Sequence, residues 1–157
     1  MSAFHTLVGA HAFIGEFGAL CFLWALVEII NRSEASLARA RIAAVLGVLA
    51  LFGMLVAIEN PYVTHYGPAT KPVILKGTIP WAHNLVMETK EHIALFIPIV
   101  ALCATIALFH ARSEGTASPA YRYISMLCGL VVLMAFLMAG MGYIISTAVR
   151  MAVGGGV

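Results

Sequence analysis

Residues 7–30 read LVGAHAFIGEFGALCFLWALVEII, and this stretch decides the fold. His11, Glu16 and Glu28 are the polar interruptions in an otherwise apolar run. Wound as an α-helix at about 1.5 Å per residue, it rises about 36 Å, enough to cross a hydrocarbon core of about 30 Å. The backbone must satisfy its own polar groups at that depth, which a helix does. Three further apolar runs follow, at 42–58, 93–109 and 124–149. The third falls short of a full span and is expected to begin earlier, near Trp81. The first run is not expected to be a cleavable signal peptide: it lacks a basic start, is too long, and contains Glu16 and Glu28.

Composition agrees with a membrane protein. Of 157 residues 62% are hydrophobic and 10% charged, where a soluble domain carries about 25% charged residues. Residues 1–157 therefore form a single transmembrane domain, expected to be an all-α four-helix bundle. The net charge of +2 is scattered, with no basic run for nucleic acid and no acidic tail. Cys21, Cys103 and Cys128 form no CxxC or CxxCH motif, so they read as packing residues. The short connections hold Arg32, Arg39, Arg41, Arg112 and Arg122, against Lys71, Lys76, Lys90 and Arg150 on the opposite side. That balance places the short loops inside and both termini outside the plasma (inner) membrane. The long connection, 59–80, carries Pro61, Pro68, Pro72 and Pro80. Prolines at this density argue against a continuous helix and for a folded outer cap.

The chain also reads as one hairpin used twice, about 1–60 and about 81–150. His5-Thr6-Leu7-Val8 aligns with His83-Asn84-Leu85-Val86, His11 with His92, Arg32-Ser33-Glu34 with Arg112-Ser113-Glu114, and Gly47 with Gly129. Two hairpins in the same orientation would be related by a pseudo-twofold axis along the membrane normal. His11 and His92 each lie about twenty residues, or about 30 Å, before the matching arginine, so they share a height near the outer boundary.

Ionisable groups inside a membrane are functional candidates. Two imidazoles on different helices can grip the iron of a b-type haem from both sides. His11, Gly15, Gly18 and Phe22 follow i, i+4, i+7, i+11 spacing and share a face, which would let a macrocycle approach the first helix. His92, Leu95, Phe96 and Ile99 offer the matching apolar face on the third span. With this architecture and the His11/His92 pair, the chain resembles the small four-helix membrane b-type cytochromes. The resemblance implies an electron-transport subunit with one haem b, or two, between the first and third helices. It also implies a quinone site under the proline-rich loop and further membrane subunits as partners. The departure from that pattern is the inner end, where His110 is the one histidine.

Other assignments stay open. His5 and His83 are second-choice ligands at the outer surface. Glu88 and His92, four apart, could join His11 in a metal site holding iron, copper or zinc. Glu16, about 7–8 Å deeper than His11, suits a proton relay. The small chain equally fits a cofactor-free structural subunit of a larger complex. No nucleophile arrangement, phosphate loop or hydrolase motif is present, so catalysis by this chain alone is not expected.

Overall fold

The computed structural model describes residues 3–111 and 116–154, with side chains excepted at 3–5 and 60. The helices are α1 (Ala3–Asn31), α2 (Glu34–Pro61), α3 (Lys71–Lys76), α4 (Glu88–His110) and α5 (Ala120–Gly154). Tyr62–Thr70, between α2 and α3, and Ala82–Met87, leading into α4, are wound as π-helix. Four stretches are long and apolar enough to cross a membrane: Thr6–Asn31, Glu34–Glu59, Ala82–His110 and Ala120–Gly154. The third does begin beside Trp81. This is an all-α bundle of a multispan membrane protein.

α1 packs on α2 and α5, and α4 packs on the same two helices, so α1 and α4 stand diagonally. Small residues fill the contacts: Ala25, Ala40, Ala43, Ala44, Ala101 and Ala104 are fully buried. Large apolar side chains such as Phe13, Leu49, Val56, Phe96 and Phe136 lie on the outer surface. In lipid this inversion is sensible, because burying a leucine gains little from the hydrophobic effect while small residues permit close packing. α1 and α2 approach closely at Gly18 and Gly47. A Cβ on Gly18 would stand 3.3 Å from the Gly47 carbonyl oxygen, and a Cβ on Gly47 would stand 2.7 Å from the Phe22 ring. Gly129, aligned with Gly47 in the repeat, has nothing within 4 Å of such a Cβ. The sequence correspondence does not extend to equivalent environments at these two glycines.

The α1–α2 turn is tight. Arg32 takes a left-handed conformation, φ 52°, and Ser33 caps α2 by accepting a bond from the Ser36 amide at 3.0 Å. The reversal lays Arg39 beside Glu28. Arg39 Nε and Nη2 donate to the two carboxylate oxygens at 2.7 and 2.9 Å, and Trp24 Nε1 donates to Oε1 at 3.1 Å. Glu28 is thus buried and paired, although its place near a span end suggests simple solvation. At the α4–α5 turn, Tyr121 donates to the Ala111 carbonyl at 3.3 Å. The repeat landmark Arg112-Ser113-Glu114 lies outside the described residues.

The cap is more helical than its prolines suggest. Pro61, Pro68 and Pro72 sit in a helical path from α2 through the π-helical segment into α3, whereas Pro80 falls in the non-helical stretch after it. A π-helical turn shifts the ladder to i→i+5 bonds, and the change of register accommodates residues without an N–H to donate. Pro72 lies in the first turn of α3, where that donor is not needed. α3 ends at Gly77, where a Cβ would come within 2.8 Å of the Ala152 side chain, so glycine lets the cap press on the end of α5. Tyr66, Ile74, Ala82 and Val86 then form a small core with Ile145 and Ala148. The larger core, including Phe22, Ile29, Leu51, Ile97, Leu108 and Tyr121, occupies the remainder of the bundle.

Candidate functional site

Between the two cores lies a cavity of about 400 Å³. Leu51, Ile97 and Met138 bound it from the bundle core, and Tyr62 and Met87 from the cap core. Every long helix contributes. α1 gives His11, Ala12, Gly15 and Glu16, α2 gives Met54, Leu55, Ile58 and Glu59, α4 gives Lys90, Glu91, Ala94 and Leu95, and α5 gives Ala135 and Ala139. Gly15 makes room for the Met54 thioether, which a Cβ there would meet at 2.6 Å.

The polar groups on this apolar wall are of two kinds. Glu16, Glu59 and Glu91 bring carboxylates; Lys90 and Tyr62 bring donors. His11 brings both functions. Its Nδ1–H donates to the Met54 carbonyl at 3.2 Å, which fixes the tautomer and leaves Nε2 as acceptor or ligand. Tyr62 donates to Glu91 Oε1 at 2.6 Å. Burial first, then the bond to Glu91, raises the Tyr62 phenol to about 12. Lys90 has no ion-pair or hydrogen-bond partner among the described residues, and its Nζ would lie 3.3 Å from a Cβ at Gly142. The ammonium therefore leans on the space that glycine leaves in α5.

A second polar group lies behind Tyr62. The Tyr62 and Tyr66 rings stack at 5.3 Å with 18° between planes. The Tyr66 hydroxyl is 3.0 Å from His83 Nδ1, and burial raises the Tyr66 phenol well above its ordinary range. His83 is 2% exposed, and its Nε2 has no hydrogen-bond partner. It belongs to the cap interior, where the sequence suggested an outer surface.

Of the residues singled out from sequence, His11, Gly15 and Glu16 come together on the cavity. Gly18 does not line it; that glycine serves the α1–α2 contact at Leu51 and Gly47. His92 is exposed and lies outside the cavity, its Nδ1–H donating to the Glu88 carbonyl at 2.6 Å. The reason is the rotation of α4. His92, Phe96, Ile99 and Ile106 form its outward stripe, whereas Ile97, Ala101, Ala104 and Leu108 face the core. Glu88 is exposed, and the His5 side chain lies outside the described residues. No group of three His, Cys, Asp or Glu is placed to hold a metal ion among the described residues.

Sequence reasoning passed over Tyr62, Lys90 and Glu91 as cavity residues. A signal for the α4 pair existed: Met87, Lys90, Glu91, Ala94 and Ile97 follow helical spacing on one face. Tyr62 meets Glu91 across 29 positions of sequence, for which local pattern gives no sign. Chemically, the half-open cavity sets apolar walls beside a small number of acceptors and donors. The chain matches no family model, no curated protein and no solved structure.

Proposed function

We propose that this chain is a membrane-embedded electron-transfer subunit whose cavity beneath the cap binds a quinone or quinol. The observation that carries this reading is the mixed lining of the cavity. A quinol head offers two O–H donors and a quinone head two carbonyl acceptors. Glu16, Glu59, the second oxygen of Glu91 and the Nε2 of His11 suit the first, and Lys90 suits the second, Tyr62 being already committed to Glu91. On oxidation a quinol gives up two protons and two electrons. The carboxylates and His11 accept the protons, and the electrons pass one at a time to a one-electron centre in a partner subunit, which is reoxidised between the two transfers. The apolar walls and the bilayer accommodate the isoprenoid tail.

The test is direct binding of a short-tailed quinone to the purified full-length chain in lipid nanodiscs. Lys90→Met removes the cationic donor to the quinone head, a charge-assisted bond worth about 1.5–3 kcal/mol, so affinity should drop by about tenfold or more. Absence of binding to the unmodified chain would refute the proposal.

A second reading has its own observation. His11 and His92 both give Nδ1–H to a main-chain carbonyl and leave Nε2 open, the posture of a metal-ligating imidazole. A b-type haem, which supplies one-electron chemistry when bound, would draw on these nitrogens. The residues do not fit a haem enclosed between the pair, since His11 faces the cavity and His92 the outside. Either imidazole would therefore hold such a group singly and not as a pair. A Soret band that shifts on dithionite reduction and is lost in His11→Ala or His92→Ala supports this reading. A colourless full-length protein that binds no quinone leaves the cofactor-free structural subunit.

A further inference from the structure

We propose that a groove between α2 and α4, at the end of the bundle that carries the α1–α2 turn, binds an anionic phospholipid, with Arg41 receiving the phosphate. The groove holds about 410 Å³ and is lined by Arg41 together with Ala38, Ile42, Val45, Leu46 and Phe109. Its apolar members are exposed on the bundle surface, which the bilayer covers. Arg41 is the one polar side chain of the lining. Its Nε donates to the Leu108 carbonyl at 3.5 Å, a long bond that holds the guanidinium beside the end of α4. An arginine carries five N–H donors, and the others have no hydrogen-bond or ion-pair partner among the described residues. Arg39, two residues earlier, is engaged with Glu28; Arg41 has no carboxylate of this kind among the described residues.

Depth and charge select the occupant. The apolar run of α2 begins at Ile42, so Arg41 sits at the boundary where lipid phosphates lie. From Arg41 to Leu46 the helix advances about 7.5 Å, and Ile42, Val45 and Leu46 form an apolar track for the start of an acyl chain, flanked by Phe109. A guanidinium matches a phosphodiester in shape and charge. A zwitterionic lipid brings its own cation to the same place and gains less. One arginine near an anionic surface is worth about a fivefold preference. This proposal is independent of the quinone reading, since the two sites share no residue.

The experiment is native mass spectrometry of the full chain released from mixed vesicles of phosphatidylglycerol and phosphatidylcholine with identical acyl chains. Phosphatidylglycerol should be retained about fivefold over phosphatidylcholine. The preference should vanish in Arg41→Gln and persist in Arg41→Lys and in Arg150→Gln, a cation at the opposite end. Leu46→Trp, which fills the groove and keeps Arg41, should lower retention of both lipids. Equal retention of the two lipids, or an unchanged preference in Arg41→Gln, would overturn the proposal. Displacement of the lipid by millimolar glycerophosphoglycerol would overturn it too, by showing that the headgroup alone binds.

Discussion

Gly47→Ala and Gly53→Ala form a matched pair on α2. Both positions are helix interior, and both gain the same backbone preference, about 1 kcal/mol for alanine over glycine. They differ in surroundings. A Cβ at Gly47 would meet Cδ2 and Cε2 of Phe22 at 2.7 Å and the Cβ of Cys21 at 3.2 Å, while at Gly53 nothing lies within 4 Å. Phe22 is fully buried, so its ring can yield only by separating α1 from α2 or leaving its rotamer. Such overpacking costs about 1–3 kcal/mol. Subtracting the shared helix term, Gly47→Ala should be about 1–3 kcal/mol less stable than Gly53→Ala, which should itself be neutral or slightly stabilised. Reversible unfolding in mixed micelles, followed by far-ultraviolet circular dichroism, measures both. Phe22→Leu added to Gly47→Ala should restore part of the loss, giving a double variant more stable than the sum of the two singles. Alanine variants that agree within about 0.5 kcal/mol would refute the close α1–α2 approach.

Three further outcomes follow from the cap and the turn. Tyr66→Phe leaves His83 without its remaining partner and should cost about 1–3 kcal/mol, whereas Tyr66→Phe with His83→Leu, which removes both polar groups, should cost less; the same unfolding assay compares them. The Tyr62 phenol stands at about 12 in the folded chain, against about 10 when unfolded. The folded state therefore favours the protonated form. Its contribution should be complete below about pH 10 and disappear as pH rises towards about 12, visible as a falling melting temperature and late tyrosinate absorbance at 295 nm. Arg32→Gly should relieve the left-handed backbone and raise stability by up to about 1 kcal/mol, read as an upward shift in the unfolding midpoint.

The spans were legible because length and apolarity add along the sequence without reference to any neighbour. Helix rotation was not. In water, the apolar face of α4 would be the inner face, and His92 with Leu95, Phe96 and Ile99 would point inward. In a membrane both faces are apolar, and the alanines at 101 and 104 mark the packed side better than the large residues do. The winding of the cap was not legible either: proline disfavours an ordinary helix interior, but π-helical turns accommodate Pro68. Glu28 could be sent to water from its position alone; its partner appears only once the Arg32–Ser33 turn folds α2 back. His11 and Glu16 were legible as polar residues in an apolar span, whereas Tyr62, which meets its acceptor only in the folded chain, was not.

Under the quinone proposal, the packing of α1 against α2 marks the cavity as space kept for an occupant. These helices close to near-backbone contact at Gly18 and Gly47, so the chain packs tightly where its residues are small. Two turns further along α2, at Met54, the same bundle opens into the volume lined by His11, Lys90 and Glu91. A bundle selected for packing alone would fill that gap with apolar side chains, because an ammonium and three carboxylates at the rim of a membrane cavity weaken it. Tyr62 and Glu91 satisfy each other, but Lys90 finds no partner among the described residues, and His11 turns one nitrogen to the backbone and leaves the other open. A ligand with a polar oxygen-bearing head and an apolar body, as proposed, would complete both groups. Loss of quinone binding in Lys90→Met, with the unfolding midpoint unchanged or raised, would separate this ligand-directed role from a structural one. A lowered midpoint with binding intact would assign Lys90 to packing instead.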